Sequence, residues 1–166
     1  MPDQDQECII NGEVIVNAPL DQVWDAWTTN KGAEAFFAPK CSIDAKPGGR
    51  YEMLFDLNAE LGKQGGEDMI VMAMQPQKML AFTWNAPPHL PQVRNQMTHV
   101  IIRLYALSLD QTKVTLRHDG WGEGGEWDSA YEYFERAWKK IVLPRLKYRF
   151  DVGPIDWYNP PDLSQS

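Results

Sequence analysis

Positive charge is scarce in this chain. Its 166 residues carry 16 Lys and Arg against 23 Asp and Glu, a formal net charge of −7. Nucleic acids and anionic membranes are bound by basic surfaces, so neither is an expected partner. An acidic excess mainly serves solubility. Cysteine is rarer still. Cys8 and Cys41 form no CxxC pair and no disulfide framework, and they read as free thiols. No apolar run approaches the ~18 residues that suggest a membrane helix. The start MPDQDQECII is too polar for a signal peptide. A soluble, cytoplasmic protein without membrane insertion is expected.

Catalytic and ligating groups are equally thin. The three histidines, His89, His99 and His118, show no zinc-type spacing with cysteine. The cluster His118, Asp119, Glu123, Glu126, Asp128 lacks a calcium-loop pattern. There is no Gly-x-Ser-x-Gly elbow. KPGGR reads as a hairpin turn, and GEGGE is too acidic to cradle phosphate. Neither a metal nor a cofactor is expected.

What remains is a globular composition, 43% hydrophobic and 23% charged. The length fits one domain over 1–166, with a core at about 9–150 and a tail at 151–166. CIINGEVIVNA reads as a strand, with Asn11 and Gly12 marking a candidate bulge. APLDQVWDAWTT and NKGAEAFFAP read as two short helices, the second capped by Asn30 and stopped by Pro39. CSIDA, RYEMLFDL, EDMIVMAM, KMLAFTWN, QMTHVIIRLYAL and TKVTLRHDG follow as strands. From about Gly125 to Phe150 the period is helical.

The loops are uneven. DAKPGG, QPQK and SLDQ are tight turns, whereas DLNAELGKQGGE, NAPPHLPQVRNQ and HDGWGEGG are long. In an antiparallel meander the long ones share one end of the sheet. That end is the expected mouth of any cavity.

Alternation turns Tyr51, Met53 and Phe55 inward, together with Leu80, Phe82 and Trp84, then Val100, Ile102 and Leu104, then Val114, Leu116 and His118. Trp127, Tyr131, Phe134, Trp138 and Ile141 form one stripe on the last helix. Pro144 should kink that helix near Lys140 to Pro144.

The segments VIVNAPLDQVWDAWTTNKGAEAFF, KPGGRYEM, KMLAFTWN, TKVTLRHDGW and YEYFERAWKKIVLPRLK together resemble the START-like (SRPBCC, birch-pollen-allergen-like) superfamily. The similarity is closest to the branch of the heat-shock-protein-90 ATPase activator C-terminal domain. The resemblance implies an α+β helix-grip fold: a seven-stranded curved antiparallel sheet wrapped around a long C-terminal helix, with two short helices between strands 1 and 2. It also implies a cavity for an apolar small-molecule ligand, but no shared catalytic set. The full activator has a separate N-terminal domain that docks on the chaperone. This chain has no room for it, so a chaperone partner is not expected.

The inward rows and the helix stripe nominate Tyr51, Met53, Phe55, Phe82, Trp84, Ile102, Leu104, His118, Trp121, Tyr131, Phe134 and Trp138 as the lining of a binding site. All seven Trp except Trp157 lie in or beside the elements that would enclose it. Two arrangements fit: an aromatic-lined pocket, or an interior filled by its own side chains. Three functions fit as well. One is binding of an apolar or aromatic molecule. Another is a cofactor-independent cyclase or aromatase with His118 as acid–base. The third is an interaction module of the co-chaperone kind. Trp157 and Tyr158 could dock on the body or on a second copy, which leaves a homodimer open.

Overall fold

Antiparallel pairing organises most of the chain. The computed structural model describes residues 8–164. The polar start of the chain (1–7) and its last two residues, 165–166, lie outside the described residues. In order come β1 (Ile10–Val16), α1 (Leu20–Thr28), α2 (Asn30–Glu34), β2 (Lys40–Ile43), β3 (Tyr51–Leu54), β4 (Gly65–Gly66), β5 (Val71–Gln75), β6 (Met79–Trp84), β7 (Thr98–Ser108) and β8 (Gln111–Asp119). The last helical run comprises α3 (Glu126–Arg136), a π-helical turn (Ala137–Val142) and α4 (Leu143–Asp151).

The sheet differs from the seven-stranded expectation. Five strands pair in the order β1-β8-β7-β6-β5, and three more in the order β2-β3-β4. The expected fourth strand, EDMIVMAM, does not run through, and only its later part forms β5. Asp68 takes a positive φ of 64°, which non-glycine residues rarely adopt. Its N–H donates to Glu52 Oε2 at 2.8 Å rather than to a neighbouring strand. Ahead of that break, β4 stays with β3; after it, β5 pairs with β6. The residues between bridge the two sheets: Tyr51 N–H donates to Met69 O, and Thr83 N–H donates to Ile70 O.

Other local expectations are also corrected. The register of β1 with β8 is continuous from Ile10 to Val16, so Asn11 and Gly12 form no bulge. Gly12 instead admits the helix: a Cβ there would lie 3.0 Å from Leu143 Cδ1. The cap of α2 is Thr29, whose hydroxyl accepts from Gly32 N–H at 3.0 Å. Asn30 accepts from Ile43 N–H at 2.7 Å and ties α2 to β2.

The core lies between sheet and helix. Val100, Ile102, Val114, Leu116, Leu80, Phe82 and Tyr51 are all buried, as alternation required. Ile102 sits in register between Leu80 and Leu116. On the helix the stripe holds through Phe134 and Trp138 and then slips. Pro144 has no N–H for the Lys140 carbonyl. The helix absorbs this loss as a π turn in which Leu143 N–H donates to Trp138 O, five residues back. The buried sequence continues as Val142 and Leu146, while Ile141 stays half exposed. In the tail, Ile155 is buried with its N–H on Ala35 O. Trp157 Nε1 donates to Glu34 O at 2.6 Å beneath the Arg145 guanidinium. Tyr158 is exposed. Among the described residues no helix is long and apolar enough to cross a membrane.

The register makes a sharp prediction. Ile102→Ala should cost about 2–5 kcal/mol of unfolding free energy by leaving a cavity. Arg103→Ala, one residue on and facing water, should stay within about 0.5 kcal/mol. Urea denaturation of the two variants measures this, and equal costs would contradict the inward placement.

Candidate functional site

The long connections do gather at one end of the sheet, and a buried arginine joins two of them. Arg94, from the β6–β7 loop, is 7% exposed. Its Nε and Nη2 donate to Gly62 O at 3.1 and 2.9 Å, and Nη2 also reaches Gly65 O at 2.9 Å. Nη1 donates to Ala86 O. The Glu67 carboxylate stands 3.5 Å from Nη2 and accepts from the N–H groups of Gly62 and Gln64, both at 2.5 Å. Asn85 Nδ2 donates to Gly65 O at 3.0 Å. Burial pulls the Arg94 pKa below the usual guanidinium value, and the Glu67 charge opposes this.

Behind this clasp lies a cavity of about 290 Å³, near the lower end of the ~300–1,000 Å³ typical of ligand sites. Phe37, Trp84 and Trp138 form its floor. Tyr133, Phe134, Ala137 and Val142 come from the helix, Gly65 and Gly66 from β4, and Phe55, Pro87 and Pro88 from the loops. Asp56, Lys63, Gln64, Asn85 and Arg94 supply the polar edge. Gly66 lies flat on the indole of Trp84; a Cβ there would be 3.0 Å from the ring. A wider depression of about 850 Å³ lies elsewhere, lined by Glu13, Arg103, Thr115, Arg117 and Lys139, but no aromatic side chain lines it. The mouth cavity is the better candidate for an organic ligand.

Of the residues nominated from sequence, Phe55, Trp84, Phe134 and Trp138 are on the cavity wall. The others lie outside it. The Tyr51 ring stacks on Phe82 at 4.2 Å, and its hydroxyl donates to Trp27 O at 2.9 Å. Met53, Ile102 and Leu104 are core. Trp121 packs on the His118 ring at 4.2 Å and donates to His118 O at 3.1 Å. Tyr131 is half buried, with its hydroxyl 3.4 Å from Ile9 O. Both arrangements left open by the sequence are therefore present: the deep interior is filled by its own side chains, and a pocket remains at the mouth. The wall residues that sequence reasoning passed over include Phe37, Asn85, Arg94, Ala137 and Val142. The one available signal was the single arginine in the Pro-rich, otherwise uncharged loop NAPPHLPQVRNQ.

His118 sits beneath the pocket floor, 0% exposed. Trp138 Nε1–H, which can only donate, reaches Nδ1 at 2.9 Å. Nδ1 must therefore accept, and the proton is on Nε2. Nε2–H donates to Thr98 Oγ1 at 2.6 Å, and the Thr98 hydroxyl donates to Trp84 O at 3.1 Å. Both ring nitrogens are spent on this neutral tautomer. Burial pulls the pKa down to about 3, with a smaller contribution from His99. Cys41 is buried too, and desolvation followed by the Glu34 charge pushes its thiol up to about 12, the reverse of an activated nucleophile. Among the described residues no three His, Cys, Asp or Glu side chains converge as a metal site.

A sheet gripping a C-terminal helix, with an aromatic cavity opening between them at the loop end, defines a START-like protein. Within that class the chain belongs to the family described as activator of Hsp90 ATPase homolog 1-like protein, which matches residues 17–147. Solved structures share the fold. A protein from Mesorhizobium loti superposes with a TM-score of 0.69 at 21% identity, covering 87% of this chain and 97% of its own. The Aha1 dimer from Colwellia psychrerythraea gives 0.67 at 20%, covering 88% and 98%. An Hsp90 activator from Plasmodium falciparum gives 0.60 at 12%, covering 87% and 97%. No curated protein matches the chain.

The His118 knot predicts a pH dependence. Its folded pKa lies below the ordinary histidine value of ~6.5, so the unfolded chain binds the proton more readily. The contribution is full above pH ~6.5 and is lost as pH falls toward 3. Unfolding free energy should drop by up to about 1.4 kcal/mol per pH unit between pH 6 and 4.5. In His118→Gln that slope should flatten, on top of a lower stability at pH 7. A wild-type profile that is flat across this window would contradict the assignment.

Proposed function

We propose that this protein binds a small, mainly apolar and planar molecule in the mouth cavity, with no reaction assigned. One observation carries the reading: an aromatic floor of Phe37, Trp84 and Trp138 beneath a polar edge, with open volume between them. Ligand sites have this composition. The cavity accommodates roughly ten to fifteen heavy atoms. At about 0.5 kcal/mol per atom, such a ligand would bind with a Kd of roughly 3–200 μM. A cyclase-type reaction would need a proton-moving group on the wall. Asp56, Lys63 and Tyr133 are exposed to water, and His118 is sealed beneath Trp138. Binding without chemistry is the better-supported reading. It suits the cytoplasm, where the thiols of Cys8 and Cys41 stay reduced.

Ala137 is the place to test it, because the position is on the wall but half buried. Ala137→Phe should fill the cavity and weaken binding of 2-naphthylmethanol, followed by quenching of tryptophan fluorescence, by about tenfold or more. Failure of the unaltered protein to bind naphthyl or phenyl probes up to millimolar concentration would defeat the reading.

Family membership favours a second reading, regulation of an Hsp90-type ATPase, with a homodimer like that of the Colwellia neighbour as its expected form. Under this reading, saturating amounts of the chain should raise the chaperone's ATP turnover severalfold. Unchanged turnover would remove it. Light scattering reports the oligomeric state directly.

A further inference from the structure

We propose that the ligand of the mouth cavity is an aryl carboxylate, its ring on Trp84 and its carboxylate against Arg94. This rests on the reading of the cavity as a small-molecule site and adds the chemical class. A guanidinium has five N–H donors. In Arg94, Nε–H is used on Gly62 O, and the two protons of Nη2 are shared among Gly62 O, Gly65 O and Glu67. Nη1 donates to Ala86 O. Its second proton has no acceptor among the described residues.

The charge is less well matched than the hydrogen bonds. The close partners are neutral carbonyls. Glu67 stands at 3.5 Å, beyond the roughly 2.7–2.9 Å of a strong charge-assisted bond, and its oxygens are held by Gly62 and Gln64. The Arg94 side chain is only 9% exposed. A buried cation so placed gains from one more anionic acceptor. Lys63 adds a second positive charge at the rim; its side chain is 61% exposed and its ammonium lies 3.8 Å from Glu60. Asp56 is the one carboxylate on the wall. It is exposed and accepts from Asn58 N–H, so water and salt screen its repulsion.

The other end sets the shape. Phe37, Trp84 and Trp138 meet at centroid distances of 5.6–5.7 Å and close the cavity off from the deep interior. Long acyl chains have no path past them. A single or fused ring with one acidic group satisfies both ends. A cation would face Arg94.

The test uses three probes with one frame: 2-naphthoate, 2-naphthylmethanol and 2-naphthylmethylamine, titrated calorimetrically into the full chain at pH 7 and low salt. The carboxylate should bind about tenfold tighter than the alcohol or better, with the amine weakest. Lys63→Met, at an exposed position, should lower carboxylate affinity severalfold and that of the alcohol by clearly less, so that the preference for the acid narrows. Arg94→Gln, where its melting curve shows a folded protein, should abolish the preference. An alcohol that binds as tightly as the acid overturns the carboxylate and leaves the small-molecule reading standing. Binding of no probe overturns both. Carboxylate binding that survives Ala137→Phe places the anion outside the cavity and overturns the assignment.

Discussion

The indole N–H of Trp138 donates to Nδ1 of His118 across 2.9 Å, and through that bond the C-terminal helix is locked to the sheet. It is buried at both ends, so neither partner can turn to water instead. Leaving either unpaired would cost about 1–3 kcal/mol. The bond also sets the histidine tautomer, which sets the direction of the next bond to Thr98 and then to the carbonyl of Trp84. One polar chain thus runs from the helix through β8 and β7 to β6. Above it, Trp138 and Trp84 form the pocket floor; below it, the interior is side-chain packing. The same two tryptophans belong to the core and to the site.

The π turn decides which residues reach that site. With Pro144 unable to donate, the ladder lengthens to i→i+5 and the buried face moves on by one residue. Val142 takes the place that strict helical spacing gives to Ile141 and so comes onto the cavity wall, beside Ala137. The small side chain of Ala137 helps leave the space open. The irregular backbone is therefore part of how the cavity exists.

Much of the fold was legible because period-two alternation and a 3.6-residue stripe are local signals. The rows through Ile102, Leu116 and Phe82, the helix from Glu126 and the loop-rich mouth all follow from them. The break at Asp68 was not legible, since a positive φ at a non-glycine residue depends on the partner it finds, here Glu52. Nor was the slip after Trp138, because Pro144 predicts a disturbed helix but not its form. At the site, Trp84, Phe134 and Trp138 could be read from periodicity. Arg94 could not. Its burial depends on carbonyls at Gly62 and Gly65, about thirty residues away in another loop, and no spacing rule connects the two. Alternation identifies inward side chains, but it does not separate those that fill the interior, such as Tyr51 and Met53, from those that border a void.

That distinction bears on how the cavity can vary. Enlarging it downward means removing Trp84 or Trp138. Loss of Trp138 would strand His118 Nδ1, an electrostatic cost added to lost packing. The depth is therefore fixed by a hydrogen bond as well as by volume. The mouth is less constrained. Lys63 and Pro88 are on connections whose main structural obligation is to present the carbonyls of Gly62, Gly65 and Ala86 to Arg94, and neither residue supplies one of those carbonyls. A chain built this way can change what its rim recognises while its aromatic floor stays the same. Substitutions that alter what this cavity would recognise should therefore concentrate in the loops that Arg94 holds.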